Sequence, residues 1–130
     1  MIRTLKNRNG LTLIELIAVL VILGIIAAIA VPTIGNTINA QRQRAAEAEW
    51  AAIISASELY IVENDSETAF SMDDLYNNDY ISENVVLEED ANGTVITSST
   101  DVFEVSGGDV VISDDYTEIY IDGFLVYEAA

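Results

Sequence analysis

The chain has 130 residues, enough for one ordinary domain and an appendage. It carries 22 acidic residues against five basic ones, for a net charge of −17, and contains neither cysteine nor histidine. Disulfides and thiol chemistry are thereby excluded, and the commonest general base and transition-metal ligand is missing. The acidic balance repels phosphate backbones, so no direct nucleic acid binding is expected.

Met1–Gly10 is short, polar and basic, with Arg3, Lys6 and Arg8. Leu11–Val31 then runs for 21 residues, all apolar or small except Thr12 and Glu15. That length crosses a bilayer as a helix. A lone carboxylate in such a segment costs roughly 2.5–3.5 kcal/mol on insertion scales. It persists only where something cancels it or uses it. Beyond Gly10 the only basic residues are Arg42 and Arg44, so the side chains after the leader sum to −20 with no lysine. Such a surface stays soluble and suits a salty exterior.

Pro32 removes a backbone donor and clashes with the preceding turn, which predicts a kink or loosening there, with Gly24 a second weak point. Helical character resumes from Thr37 to about Val62, rich in Ala, Gln, Glu and Arg. Ala46, Trp50, Ile53, Ser57 and Tyr60 recur at i+3 and i+4 spacing, flanked by Ile54 and Ile61, and predict one buried stripe with Trp50 packed beneath a sheet. Taken as one rod, residues 11–62 would span roughly 78 Å. So small a domain cannot bury that rod, which needs a membrane or other copies of itself.

Glu63–Thr68 is acidic and ends the helix, and Ser71-Met-Asp-Asp reads as an N-cap opening a short helix through Leu75 and Tyr76. Short β-branched or aromatic runs follow at Val85–Leu87, Val95–Thr97, Val102–Val105, Val110–Ile112, Glu118–Ile121 and Phe124–Tyr127. Asn92-Gly93, Gly107-Gly108 and Asp122-Gly123 mark tight turns between them, Asp122-Gly123 most firmly. The expected fold is α+β: a long N-terminal helix packed on a small antiparallel sheet that covers the Trp50 face. With no cysteine, the hairpin through Asp122-Gly123 must hold the C-terminal region unaided. The tyrosines and phenylalanines are read as sheet packing at alternating strand positions rather than as an electron path.

Three readings of the apolar block compete. One is a conventional secretory signal, with Ala28-Ile29-Ala30 as a small-x-small cleavage site, which would release a secreted acidic binding module. Another is a single-span anchor with a basic cytoplasmic flank, which explains the length but not Glu15. The third rests on Gly10-Leu11-Thr12-Leu13-Ile14-Glu15, followed by an apolar helix and Pro32. This run closely resembles the class III signal of type IV pilins and the related pseudopilins, over residues 1–32.

The resemblance implies a pilin-like α/β roll in three parts: a cleaved leader over residues 1–10, a long helix over 11–62 with its membrane and assembly segment at 11–31, and an acidic head over 63–130. It implies cleavage between Gly10 and Leu11 by a prepilin peptidase, with N-methylation of Leu11. Most relatives carry phenylalanine at that place. It implies a structural subunit rather than an enzyme. The precursor would be held in the inner or cytoplasmic membrane, then polymerised with identical subunits into an extracellular filament for adhesion or motility. A platform protein and an assembly ATPase would be its partners. A type II secretion pseudopilin and a competence pilin are the alternatives within the family.

The physical logic of Glu15 is independent of the resemblance. Cleavage after Gly10 leaves an ammonium at Leu11, one helical turn from Glu15. When apolar rods stack with an axial offset, the Glu15 of one can instead meet the amine of its neighbour, and misregistered packing leaves a buried charge unpaired. Glu15 would then set register. Gly24 and Pro32 bound a segment that either merely kinks or unwinds when rods pack.

No catalytic arrangement is present: there is no Gly-x-Ser-x-Gly and no phosphate loop. Asp73-Asp74, Glu88-Glu89-Asp90 and Asp114-Asp115 read as solvated faces. No cofactor is expected. Calcium is the one alternative, with Asp109, Asp114, Asp115 and Asp122 as the candidate ligands at two strand ends, where major pseudopilins use such a site. Ser98-Ser99-Thr100 is a place where an exported surface would accept sugars.

Overall fold

A computed structural model describes residues 12–130 together with the helical backbone of residues 8–11. The described chain divides into two compact units between Ala40 and Gln41. One helix, α1 (Arg8–Glu63), contributes to both.

In the first unit every described side chain from Thr12 to Ala40 is exposed, apart from a half-exposed Ala30. The helix is assigned without interruption through Gly24 and Pro32. Proline deletes only its own backbone donor. Next to it the Thr33 hydroxyl donates to the Ile29 carbonyl at 3.0 Å, and Thr37 repeats the bond to Thr33 at 2.9 Å. Such hydroxyl bonds supply backbone acceptors around a proline with extra donors.

The second unit is built on the C-terminal part of α1. Ala46, Ile53, Ser57 and Tyr60 are buried, and Trp50, Ile54 and Ile61 pack against the core, so the expected stripe is the core face. Ser57 is tolerated there because its hydroxyl donates to the Ile53 carbonyl at 2.8 Å. The Asn64 backbone and side-chain amides both donate to the Tyr60 carbonyl, at 2.9 and 3.0 Å, and close the helix end.

The remaining elements are β1 (Ala69–Ser71), α2 (Met72–Asn77), β2 (Leu87–Glu88), β3 (Val95–Ile96), β4 (Asp101–Ser106), β5 (Asp109–Ile112), β6 (Glu118–Ile121) and β7 (Phe124–Glu128). They form two antiparallel sheets where one was expected, ordered β1-β4-β5 and β3-β2-β6-β7. The chain crosses between them three times, after β1, after β3 and after β5. Buried Ser113 donates its N–H back to Val102 at 2.8 Å, and Tyr116 turns onto Ser113 at 3.0 Å. β1 carries no periodic pattern in three residues, yet it places fully buried Phe70 opposite Phe103 of β4. The strand expected from Val85 begins only at Leu87, and Val86 is exposed.

Local chemistry sets the turns and the cap. Asp122 and Gly123 have φ of 51° and 77°, so both central residues of the β6–β7 turn are left-handed, as a two-residue primed hairpin requires. Ser71 caps α2 in a capping box: its hydroxyl receives the Asp74 N–H at 3.3 Å, and the Asp74 carboxylate receives the Ser71 N–H at 2.8 Å.

Six aromatic rings of this unit form one contiguous run. Tyr127, Trp50, Phe103, Phe70, Tyr60 and Tyr80 follow one another at centroid separations of 6.2, 6.2, 5.2, 4.8 and 5.3 Å. Tyr60 lies on α1 and Tyr80 beyond α2, so the run is a contact across the core between helix and strands and not the face of one sheet. Off-parallel and offset rings at these distances add to area burial.

Candidate functional site

Within α1 the first unit presents a continuous apolar surface. Leu13, Ile14, Leu16 and Ile17 are 59%, 67%, 57% and 53% exposed, and comparable exposure continues to Ile38. By length and composition this helix can cross a membrane. Glu15 is exposed in the midst of it. Leu11 and Glu15 are four residues apart on the same helix, hence one above the other on one face.

The leader residues Arg3 and Lys6 lie outside the described residues, and Arg8, Gly10 and Leu11 are described by helical backbone alone. Gly24 and Pro32 both lie inside α1. A methyl added at Gly24 would meet nothing within 4 Å, so no contact among the described residues demands glycine there.

The four aspartates weighed for calcium are dispersed. Asp109 opens β5 in the three-stranded sheet, Asp114 and Asp115 lie in the turn after β5, and Asp122 lies in the β6–β7 turn of the other sheet. Among the described residues no three His, Cys, Asp or Glu side chains are grouped to hold a metal ion.

Several carboxylates accept defined hydrogen bonds, and at some of these the bond shifts a titration. Asp90 organises the β2–β3 loop: its Oδ1 accepts the N–H groups of Asn92 and Thr94 at 2.9 and 3.0 Å, and its Oδ2 accepts the Thr94 hydroxyl at 2.9 Å. These bonds, chiefly those from Thr94, hold its carboxyl below the usual carboxylate range. Glu63, at the end of α1, accepts the Tyr80 hydroxyl, and that bond raises the phenol above its ordinary value. Tyr120 is raised in the same way by its bond to Glu118, whereas Tyr60 and Tyr116 are raised first by burial.

The basic residues of the second unit are Arg42 and Arg44, both exposed. Between them Gln43 donates to the Glu47 carboxylate at 2.8 Å and to the Leu125 carbonyl of β7 at 3.1 Å. Sequence reasoning passed over Gln43, because nothing local announces a partner 82 residues away.

Residues 5–31 match the family model described as the prokaryotic N-terminal methylation motif. The N-terminus is therefore that of a type IV pilin-like protein, a class III signal of the kind a prepilin peptidase processes. No curated protein and no solved structure matches the chain.

Proposed function

We propose that this protein is a structural subunit of a type IV pilus-like filament. The prepilin peptidase cuts between Gly10 and Leu11, the new amino terminus of Leu11 is methylated, and mature subunits polymerise through the apolar part of α1. The leader, residues 1–10, keeps the N-terminus cytoplasmic through its basic residues until cleavage. The precursor waits in the membrane, and a platform protein and an assembly ATPase move it into a surface filament that serves adhesion or motility.

One observation carries this reading: a prepilin-type signal opens a helix whose apolar side chains, Leu13 to Ile38, remain exposed on the single chain. That surface needs lipid before assembly and sister helices after it. In lipid, association follows packing and polar contacts more than water exclusion, so the pairing of Glu15 with the amine of a neighbouring Leu11 is what selects register.

The test is mass spectrometry of fibres sheared from cells that make the protein, joined to electron microscopy. The expected mature chain begins at Leu11, carries one added methyl and fills the fibres. A chain beginning at Val31, or material never found in fibres, overturns the proposal. Glu15→Ala is expected to be cleaved and membrane-held but to yield few filaments, and undiminished yield would remove the register role.

A further inference from the structure

We propose that Arg42 and Arg44 are two separate electrostatic docking points, each for the acidic head of a further copy of this chain. The inference rests on the filament reading and deepens it.

After the leader, 22 carboxylates face two guanidinium groups. In so acidic a chain each arginine would be expected to find a partner at home. Neither does: among the described residues no ion pair reaches Arg42 or Arg44. Helical spacing explains part of this. Residues three and four away from Arg42 are Ile38, Asn39, Ala45 and Ala46, none of them acidic. For Arg44 the one acid at that spacing is Glu47, whose Oε1 accepts the Gln43 amide at 2.8 Å rather than the guanidinium. Tertiary structure does not compensate. Arg42 lines a cleft of about 360 Å³ with Glu49, Asp122 and Phe124, yet neither carboxylate pairs with it.

Placement gives the two charges an outward function. Gln43 marks the edge of α1 that faces β7, through its bond to Leu125. At about 100° per residue, Arg42 and Arg44 stand on either side of that edge, roughly 200° apart. They therefore address different neighbours, as a subunit surrounded by copies in a helical array requires.

Charge selects the occupant. Bringing heads of side-chain charge −18 over residues 63–130 together is opposed by self-repulsion, and apart from the new amino terminus, spent on Glu15, these arginines are the mature chain's only cations. The carboxylates of a second copy are the complementary surface. Contacts of this kind act on specificity and register, since a misplaced head meets like charge. What the contact needs is a permanent positive charge, which a guanidinium supplies.

The experiment compares wild type, the double variant R42Q/R44Q and the double variant R42K/R44K, each as the full chain in cells that assemble it. Two quantities are read: cleaved subunit in the membrane and mass of sheared filament. The glutamine variant is expected to be cleaved and membrane-held in ordinary amount while filament mass falls about tenfold, which two exposed charge pairs per subunit can supply. The lysine variant is expected to keep most of the wild-type yield. Equal yields from wild type and the glutamine variant overturn the proposal. Loss in both variants also overturns it, in favour of side-chain packing. If wild type itself gives no filaments beginning at Leu11, the filament reading fails and this inference with it, a result distinct from the other two.

Discussion

The carboxylate of Glu88, at the end of β2, accepts the backbone N–H of Gly123 at 2.9 Å, 35 residues further along the chain. The other oxygen of Glu88 lies 3.6 Å from where a methyl on Gly93 would stand. One side chain thus sits between the β2–β3 loop and the β6–β7 turn. The C-terminal hairpin, expected to stand unaided without a disulfide, is in fact tied at two points: by Glu88 at its turn and by Gln43 at Leu125.

Glu88→Ala should therefore lower head stability by about 1 kcal/mol, the usual worth of such a bond. For a head of this size that is a fall in Tm of about 4–8 °C. Near-ultraviolet circular dichroism melts of the processed protein in detergent measure it. Glu88→Gln keeps an acceptor and should lose less.

Phe103→Ala should be far more damaging. Phe103 is fully buried and stacks between Trp50 and Phe70. Its removal should cost about 3–5 kcal/mol, a large share of a small domain's stability. Tyr76→Ala, at a residue 44% exposed, should stay within about 0.5 kcal/mol of wild type in the same melts.

Stability should fall off on both sides of neutrality, for separate reasons. The carboxyl of Asp90 is held low by its bonds to Thr94 and Asn92. Its contribution is present above the usual carboxylate range and is lost as pH falls through the depressed value. The phenol of Tyr80 is held high by Glu63. Its contribution is present below the ordinary tyrosine value and is lost as pH rises through the elevated one. Asp90→Asn should flatten the acid limb of a Tm-against-pH curve, and Tyr80→Phe the alkaline limb, each leaving the other limb intact.

Gly10→Val should block leader removal, since it puts a branched side chain where the peptidase is expected to meet none. Intact mass of the membrane-bound protein should then retain residues 1–10. Normal cleavage of that variant would show that glycine is dispensable there.

Chelation should leave the head unchanged. Asp109, Asp114, Asp115 and Asp122 are spread over two sheets and their turns, without a grouping that could share an ion. A melt repeated with excess chelator should superimpose on the untreated one, and a lowered Tm would point to a calcium site formed from other ligands.

Much of the fold was legible locally. The stripe from Ala46 to Tyr60 was visible because a helix repeats every 3.6 residues and its buried face must be apolar. Ser71 with Asp74, and Asp122 with Gly123, were visible because caps and primed turns are decided by two to four adjacent residues. β1 was not, since three residues give no period and Phe70 is a strand residue only because Phe103 lies opposite it. The division into two sheets was equally hidden, for it depends on crossings after β1, β3 and β5 that no run of adjacent residues announces.

By itself, then, the amino-acid order determined the prepilin-type signal, the apolar helix with its one carboxylate, the core face of the second helical half and the tight turns. Each of these follows from residues close together in the chain, acting through hydropathy, periodicity or backbone preference. The tertiary structure alone decided which strands pair, that Glu88 and Gln43 fasten the C-terminal hairpin, and that among the described residues Arg42 and Arg44 form no ion pair. Those outcomes depend on distances between groups tens of residues apart, which no local propensity encodes.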